Sequence, residues 1–163
     1  IFMSELCQKW AAVTAKYPNQ NTKTIRLGVV FGNGGGVLSP MLLPIKMNMV
    51  KNIGHGRQPC VWVHIQDVIR AVEFLMLNET KESIFNVVAP EKVNQKTFAD
   101  ITSLILNKKP LFTLPNFIMK WILGEQSQLV LNGQYVTPKA LQNAGFEFEY
   151  PVLKYAMKNL IEK

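Results

Sequence analysis

Three groups of residues in this sequence have the types and spacing to do chemistry. The first is the glycine cluster closing "TIRLGVVFGNGGGVLSP", Thr24 to Pro40. A turn that grips a dinucleotide needs G-x-G-x-x-G between a strand and a helix. Two glycines allow the tight turn and the close approach of backbone to pyrophosphate; the third lets the helix pack on the strand. From Gly32 the register runs Gly32, Gly34, Val37, and from Gly34 it runs Gly34, Gly36, Ser39. Neither fits, and no acidic residue about twenty positions on closes a second strand to hold a ribose. Gly34-Gly35-Gly36 reads instead as a flexible loop at the carboxyl end of a late strand, where ligands of an open α/β sheet sit, or as a plain connecting loop.

The second group is Tyr150 and Lys154 in "YPVLK". Y-x-x-x-K spacing suits a tyrosine general base with a lysine lowering its pKa, provided both share one helix face. Pro151 pushes Tyr150 out of the helical region, so the pair is not expected to share that face. The third group is polar and scattered through the middle of the chain. Arg57 and Gln58 stand in a glycine-flanked loop, "NIGHGRQP", and are candidates for polar substrate contacts. His64 and Asp67 stand three apart at a helix start. His64 either faces a pocket or hydrogen-bonds locally, and Asp67 complements the helix N-terminus. Asn86 lies within an apolar strand, where a buried amide needs partners. It either pins a neighbouring loop or faces the pocket. No catalytic residue and no metal site emerge, since Cys7 and Cys60 are far apart and no CxxC pair or His/Cys cluster occurs. Free thiols in a reducing, cytoplasmic setting are expected.

These residues need a scaffold, and the chain of 163 residues can build one domain-sized core. Hydrophobic residues make up 48% and charged ones 18%, a globular balance with no run of eighteen apolar residues to span a membrane. The net charge is +7. It is lysine scattered along the chain, without the clustered bases and interleaved aromatics of a nucleic-acid surface. No nucleic-acid or membrane partner is expected. The start, "IFMSELCQKW", falls inside a helical pattern and is no signal peptide, which reads as a fragment.

Phe2 to Tyr17 is an expected amphipathic helix with Phe2, Leu6, Cys7, Trp10 and Val13 on one face. Thr24 to Phe31 is expected as one strand buried on both faces, as in a parallel sheet. Pro40 to Lys51 reads as a short helix with Pro44 in its first turn, Val61 to Val63 as extended, and Ile65 to Leu77 as a helix. Ile84 to Ala89 is a second buried strand. Asn94 caps a helix to about Asn107, and Leu111 to Leu114 is a brief strand. Pro115 to Leu123 is a helix ended by Gly124. Thr137-Pro138 reads as an N-cap with proline first in the helix, and Gly145 as its stop. "FEFEY" at 146–150 is extended, and Pro151 to Ile161 is the last helix. Trp62 is expected in the core, with Met41, Met47 and Met49 filling gaps. Strands alternating with helices, followed by short mixed elements, indicate an α/β class.

Three stretches in order, "IRLGVVFGNGGG" (25–36), "GHGRQPCVWVHIQDVIRAV" (54–72) and "FNVVAPEKVNQKTFADI" (85–101), resemble the C-terminal half of extended short-chain dehydrogenases. More closely they resemble the atypical branch called the epimerase family. The tail "NGQYVTPKALQNAGFEFEYPVLKYAMKNLI" resembles that branch's C-terminal unit of unassigned function. The resemblance implies the C-terminal part of a Rossmann-type doubly wound parallel sheet over residues 1–110, and a small α+β C-terminal lobe over 111–163. It implies NADP or NAD as cofactor of the intact protein, with the glycine fingerprint in an absent N-terminal half and no dinucleotide bound by this chain alone. Val29 and Val30 would approach the nicotinamide through backbone groups. Arg57, Gln58, His64 and Asn86 would stand on the side of an unknown small-molecule substrate.

The departures from the family pattern bear on activity. Sugar-nucleotide enzymes of the superfamily carry R-x-x-N-V-Y-G in the late strand, and Val29 stands where their asparagine touches substrate. They carry R-D-F-I-H-V-x-D next, and Cys60 stands where their arginine binds the diphosphate, with Arg57 three residues earlier. Losing that guanidinium fork counts against a UDP-sugar. The helix before the strand offers Met3 and Cys7 near the places of the catalytic Tyr and Lys. Two functions stay open: a fragment of an NAD(P)-dependent epimerase or oxidoreductase, inactive alone, or a non-catalytic NAD(P)-binding sensor or scaffold. The expected protein partner is the missing half or a second copy of the chain.

Overall fold

A computed structural model describes residues 2–15, 22–53, 55–110, 112–114 and 134–162. The helix expected over Pro115 to Leu123 lies outside the described residues. Along the chain come α1 (Phe2–Ala15), β1 (Thr24–Leu27), β2 (Val29–Phe31), α2 (Leu38–Lys46), β3 (Val50–Ile53), β4 (Pro59–Cys60) and β5 (Trp62–His64). Then follow α3 (Ile65–Leu77), β6 (Ile84–Val87), β7 (Val93–Asn94), α4 (Gln95–Ile105), β8 (Phe112–Leu114), α5 (Lys139–Asn143) and α6 (Leu153–Ile161).

The run Thr24 to Phe31 is not one strand. β1 pairs in parallel with β6, Ile25 opposite Phe85, and β2 pairs in parallel with β5, Val30 opposite Val63. The partner changes at Gly28. Its N–H still donates to Val87 O (3.3 Å), while the Val29 N–H donates to Val61 O (2.7 Å) and the Ala89 N–H to Trp62 O (2.7 Å). So β5 enters between β2 and the residues that follow β6, and the β1–β6 pair opens into a fork. A Cβ at Gly28 would lie 2.9 Å from Val61 O and 3.1 Å from Val88 Cγ1, so only glycine fits at the branch. Burial on both faces does not hold for this run either. Leu27 and Val29 are exposed, although they stand in register with the buried Val87 and Trp62.

Adjacent residues of β5 point to opposite faces of the sheet, and two cores result. Trp62 joins Phe31, Leu38, Leu42, Ile45, Phe98 and the buried face of α6. Val63 joins Ala71 and Leu75 of α3, Phe85 and Val87 of β6, Leu141 of α5, and Phe146. Trp62 stacks on Phe31 at 5.8 Å, as a core tryptophan should.

Several local expectations need correction. α2 starts two residues early, at Leu38, which places Pro44 inside the helix and not in its first turn. It ends at Lys46, and Asn48, at φ +59°, stops helical propagation two residues on, so Lys51 falls in β3, which pairs with β8. Met47 and Met49, on either side of Asn48, are exposed; of these three methionines Met41 alone packs on the core. Trp10 and Val13 of α1 are exposed as well. The cap of α5 is Pro138, with no side-chain hydrogen bond, so Thr137 does not serve as its N-cap. By contrast α3 has its expected bounds, Gly145 follows α5 at φ +92°, and Asn94 caps α4 through a 2.8 Å bond from the Thr97 N–H.

Candidate functional site

In an open α/β sheet, ligands bind outside the carboxyl ends of the strands. Here those ends are Phe31 of β2, His64 of β5 and the residues after Val87 of β6. Phe31 pairs with His64 in register, and Ala89 bonds to Trp62, so the three ends lie side by side. Gly34 to Gly36 leave β2 at this edge; a Cβ on any of them would meet nothing within 4 Å.

His64 is 4% exposed and is the N-cap of α3, its Nδ1 accepting the Gln66 N–H at 3.1 Å. The local hydrogen bond is therefore present. The ring also stacks on Tyr150, with centroids 4.0 Å apart and planes 25° from parallel. Tyr150 lies before α6 and Lys154 within it, so the two do not sit on one helix. Half-buried, the Tyr150 phenol titrates above its ordinary value, through desolvation first, then the hydrogen bond and charge of Glu149, then the charge of Asp67.

Asp67 does more than face the start of α3. It is fully buried. Oδ1 accepts the Glu149 N–H at 2.7 Å, Oδ2 accepts the Tyr150 N–H at 3.0 Å, and Arg70 reaches Oδ1 at 3.3 Å. Glu91, just past the end of β6, accepts the Leu153 N–H at 2.6 Å. Val152, the N-cap residue of α6, makes no side-chain cap bond, so Glu91 supplies the acceptor that end of the helix wants. Sequence reasoning missed both clamps. Their partners lie 62 to 83 residues away along the chain, and the only local signal was an acid near each strand end.

The loop carrying Arg57 and Gln58 is tied to the start of α4. Gly56 O accepts the Lys96 N–H at 2.9 Å, and Gln58 O accepts the Gln95 N–H at 3.0 Å. Arg57 is exposed, its N–H donating to His55 Nδ1 at 3.0 Å, while Gln58 is buried. Asn86 is half-buried on β6 opposite Arg26, mid-strand and so away from the carboxyl edge. The Val29 N–H is committed to β5, and Val30 packs against the second core. The structure thus brings His64 to the carboxyl edge and leaves Asn86 lower in the sheet. Cys60 is a free thiol, pushed up to about 12 by burial.

The C-terminal residues 114–160 match the model of a domain of unknown function, DUF1731. Over 164 aligned residues the chain is 34% identical to the epimerase family protein SAR0825 of Staphylococcus aureus, covering 99% of the chain and 55% of that relative. It is 31% identical to the epimerase family protein SDR39U1 of Mus musculus, again covering 55% of it. The chain therefore spans about half the length of the curated relatives it matches. The crystal structure of human epimerase family protein SDR39U1 (isoform 2) with NADPH superposes with a TM-score of 0.91 at 31% identity, over 99% of this chain and 56% of that one. A nucleoside-diphosphate sugar epimerase from Corynebacterium glutamicum shares the fold at a TM-score of 0.72 and 21% identity, over 99% of this chain and 31% of its own. In sequence and in fold, the chain matches the C-terminal portion of the epimerase family, an atypical branch of the extended short-chain dehydrogenases.

Proposed function

We propose that these residues form the substrate-side part of an NAD(P)-dependent epimerase or oxidoreductase. One observation carries the reading. The carboxyl ends of β2, β5 and β6 converge with His64 at their edge, in a chain that superposes on a relative solved with NADPH. The cofactor, NADP or NAD, is held chiefly by a nucleotide-binding half absent from these residues. Backbone at Val29 and Val30 borders the nicotinamide; Arg57, Gln58 and His64 border the substrate, and Asn86 supports the strand beneath them. A diphosphate finds no arginine at position 60, so a small substrate without that group suits the site better.

The second reading, a non-catalytic NAD(P)-binding sensor or scaffold, draws on Met3 and Cys7 standing where the superfamily's catalytic pair belongs. Without a general base of suitable pKa, hydride chemistry on an alcohol lacks its proton acceptor. A cytoplasmic location goes with either reading.

The partner is the missing half or, in its absence, a second copy. Among the described residues β1 pairs only with β6, which leaves its other edge open, a feature that invites pairing. The test is a fluorescence titration of NADPH and NADH against a form extended at its N-terminus to the length of the relatives. Binding to either supports the reading, and turnover of keto or sugar substrates separates enzyme from sensor. Failure to bind both cofactors removes it. The 163 residues alone should show no micromolar affinity.

A further inference from the structure

The C-terminal unit of unknown function is held to the body by polar bonds placed at one edge of the sheet. Asp67 follows β5 by three residues and takes two amides, those of Glu149 and Tyr150. Glu91 follows β6 by four residues and takes the amide of Leu153. Both carboxylates therefore stand at the carboxyl ends of parallel strands, where ligands of this sheet type sit. Hydrophobic packing of α6 on α4 would hold the unit without them, since Leu153, Ala156, Met157 and Leu160 are already buried there. The acids fix something more exact: the path of residues 149–153 across the sheet edge. That path brings the Tyr150 ring onto His64 and leaves it half-buried.

We propose that residues 149–153 form the outer wall of the ligand crevice, with Asp67 and Glu91 as the positioning residues that seat it. Tyr150, half-buried and stacked over the buried His64 ring, gives that wall an aromatic face, suited to a planar heterocycle or the apolar face of a sugar ring. The inference rests on the reading that this edge takes a dinucleotide and its substrate. Asp67 acts through backbone amides and never touches the ligand.

Hydrogen exchange tests it, with NADPH as the probe, on the protein extended to the length of its relatives. In the ligand-free protein, Asp67→Asn should speed exchange of the Glu149 and Tyr150 amides at least tenfold, and Glu91→Gln that of Leu153. Amides of α4 and of the β1–β6 pair should not change. On adding NADPH, the peptide spanning 146–153 should slow severalfold in the wild-type protein, and that slowing should be lost in Asp67→Asn. A purely structural clamp would show the first effect without the second. If NADPH binds and this peptide is unmoved, the wall is overturned while the function stands. If neither NADPH nor NADH binds, the functional reading falls and takes the wall with it.

Discussion

Helix α6 buries Leu153, Ala156, Met157 and Leu160, whereas α3 buries Ala71 and Leu75 and leaves Ile69, Val72 and Met76 to solvent. Both are amphipathic helices of one chain. On α6 the apolar stripe meets α4, and its first amide meets Glu91. On α3, Ile65, Ile69, Val72 and Met76 recur at spacings of four and three, a complete second stripe on the exposed side. A helix apolar on two faces is built to be covered twice. The C-terminal side is thus closed by the chain's own residues. The outer face of α3 keeps an apolar stripe that nothing among the described residues buries.

The sharpest way to break this comparison is to truncate one residue on each helix. Leu153→Ala should cost about 2–5 kcal/mol of unfolding free energy, as for buried leucines generally. Met76→Ala, on a side chain that is 80% exposed, should change stability by less than about 0.5 kcal/mol. Urea denaturation of the 163-residue chain measures both. Similar losses at the two positions would mean that α3 is covered in solution, by a second copy, and sedimentation of the wild-type chain would then show a dimer.

The two regions also differed in how far they could be read from sequence. α3 has the bounds expected of it, because its pattern of apolar residues is helical whichever face is covered. α4 announced itself through Asn94, whose cap is local chemistry. The fork at Gly28 was not legible. "TIRLGVVF" is an unbroken strand pattern, and the change of partner depends on Val61 and Val88, far along the chain. The clamps were illegible for the same reason: an acid beside a strand end looks like helix-dipole complement until its amide partners are known. Met47 and Met49 face solvent because Asn48 takes positive φ, which a pattern of apolar residues does not reveal. Local signals carried; contacts between distant residues did not.

Gly28→Ala probes the junction between the two regions. Its methyl would press on Val61 O at 2.9 Å, a backbone atom that cannot swing aside. Overpacking of this kind costs about 1–3 kcal/mol. The strain should appear in amide exchange at Val29 and Ala89, the two bonds that hold β5 in the fork, before it appears in α6. Uniform loosening across both cores would show that the fork is not a separate joint.

Cys60 gives the finest distinction, since it lies in β4 and packs on the core that α6 closes. Burial raises its thiol from 9.0 to about 12. In the folded chain it stays protonated where the unfolded chain's thiol ionises. Its contribution to stability is therefore whole below pH 9 and declines as the pH climbs from there toward 12. By pH 9.5 the loss amounts to about 1 kcal/mol. Cys60→Ala should lower stability at every pH through lost packing, yet fall less steeply than wild type between pH 8.5 and about 9.5, the range in which lysines have barely begun to titrate. Parallel slopes for the two proteins would mean that water reaches the thiol, and that the core under α6 is less tightly sealed than its contrast with α3 requires.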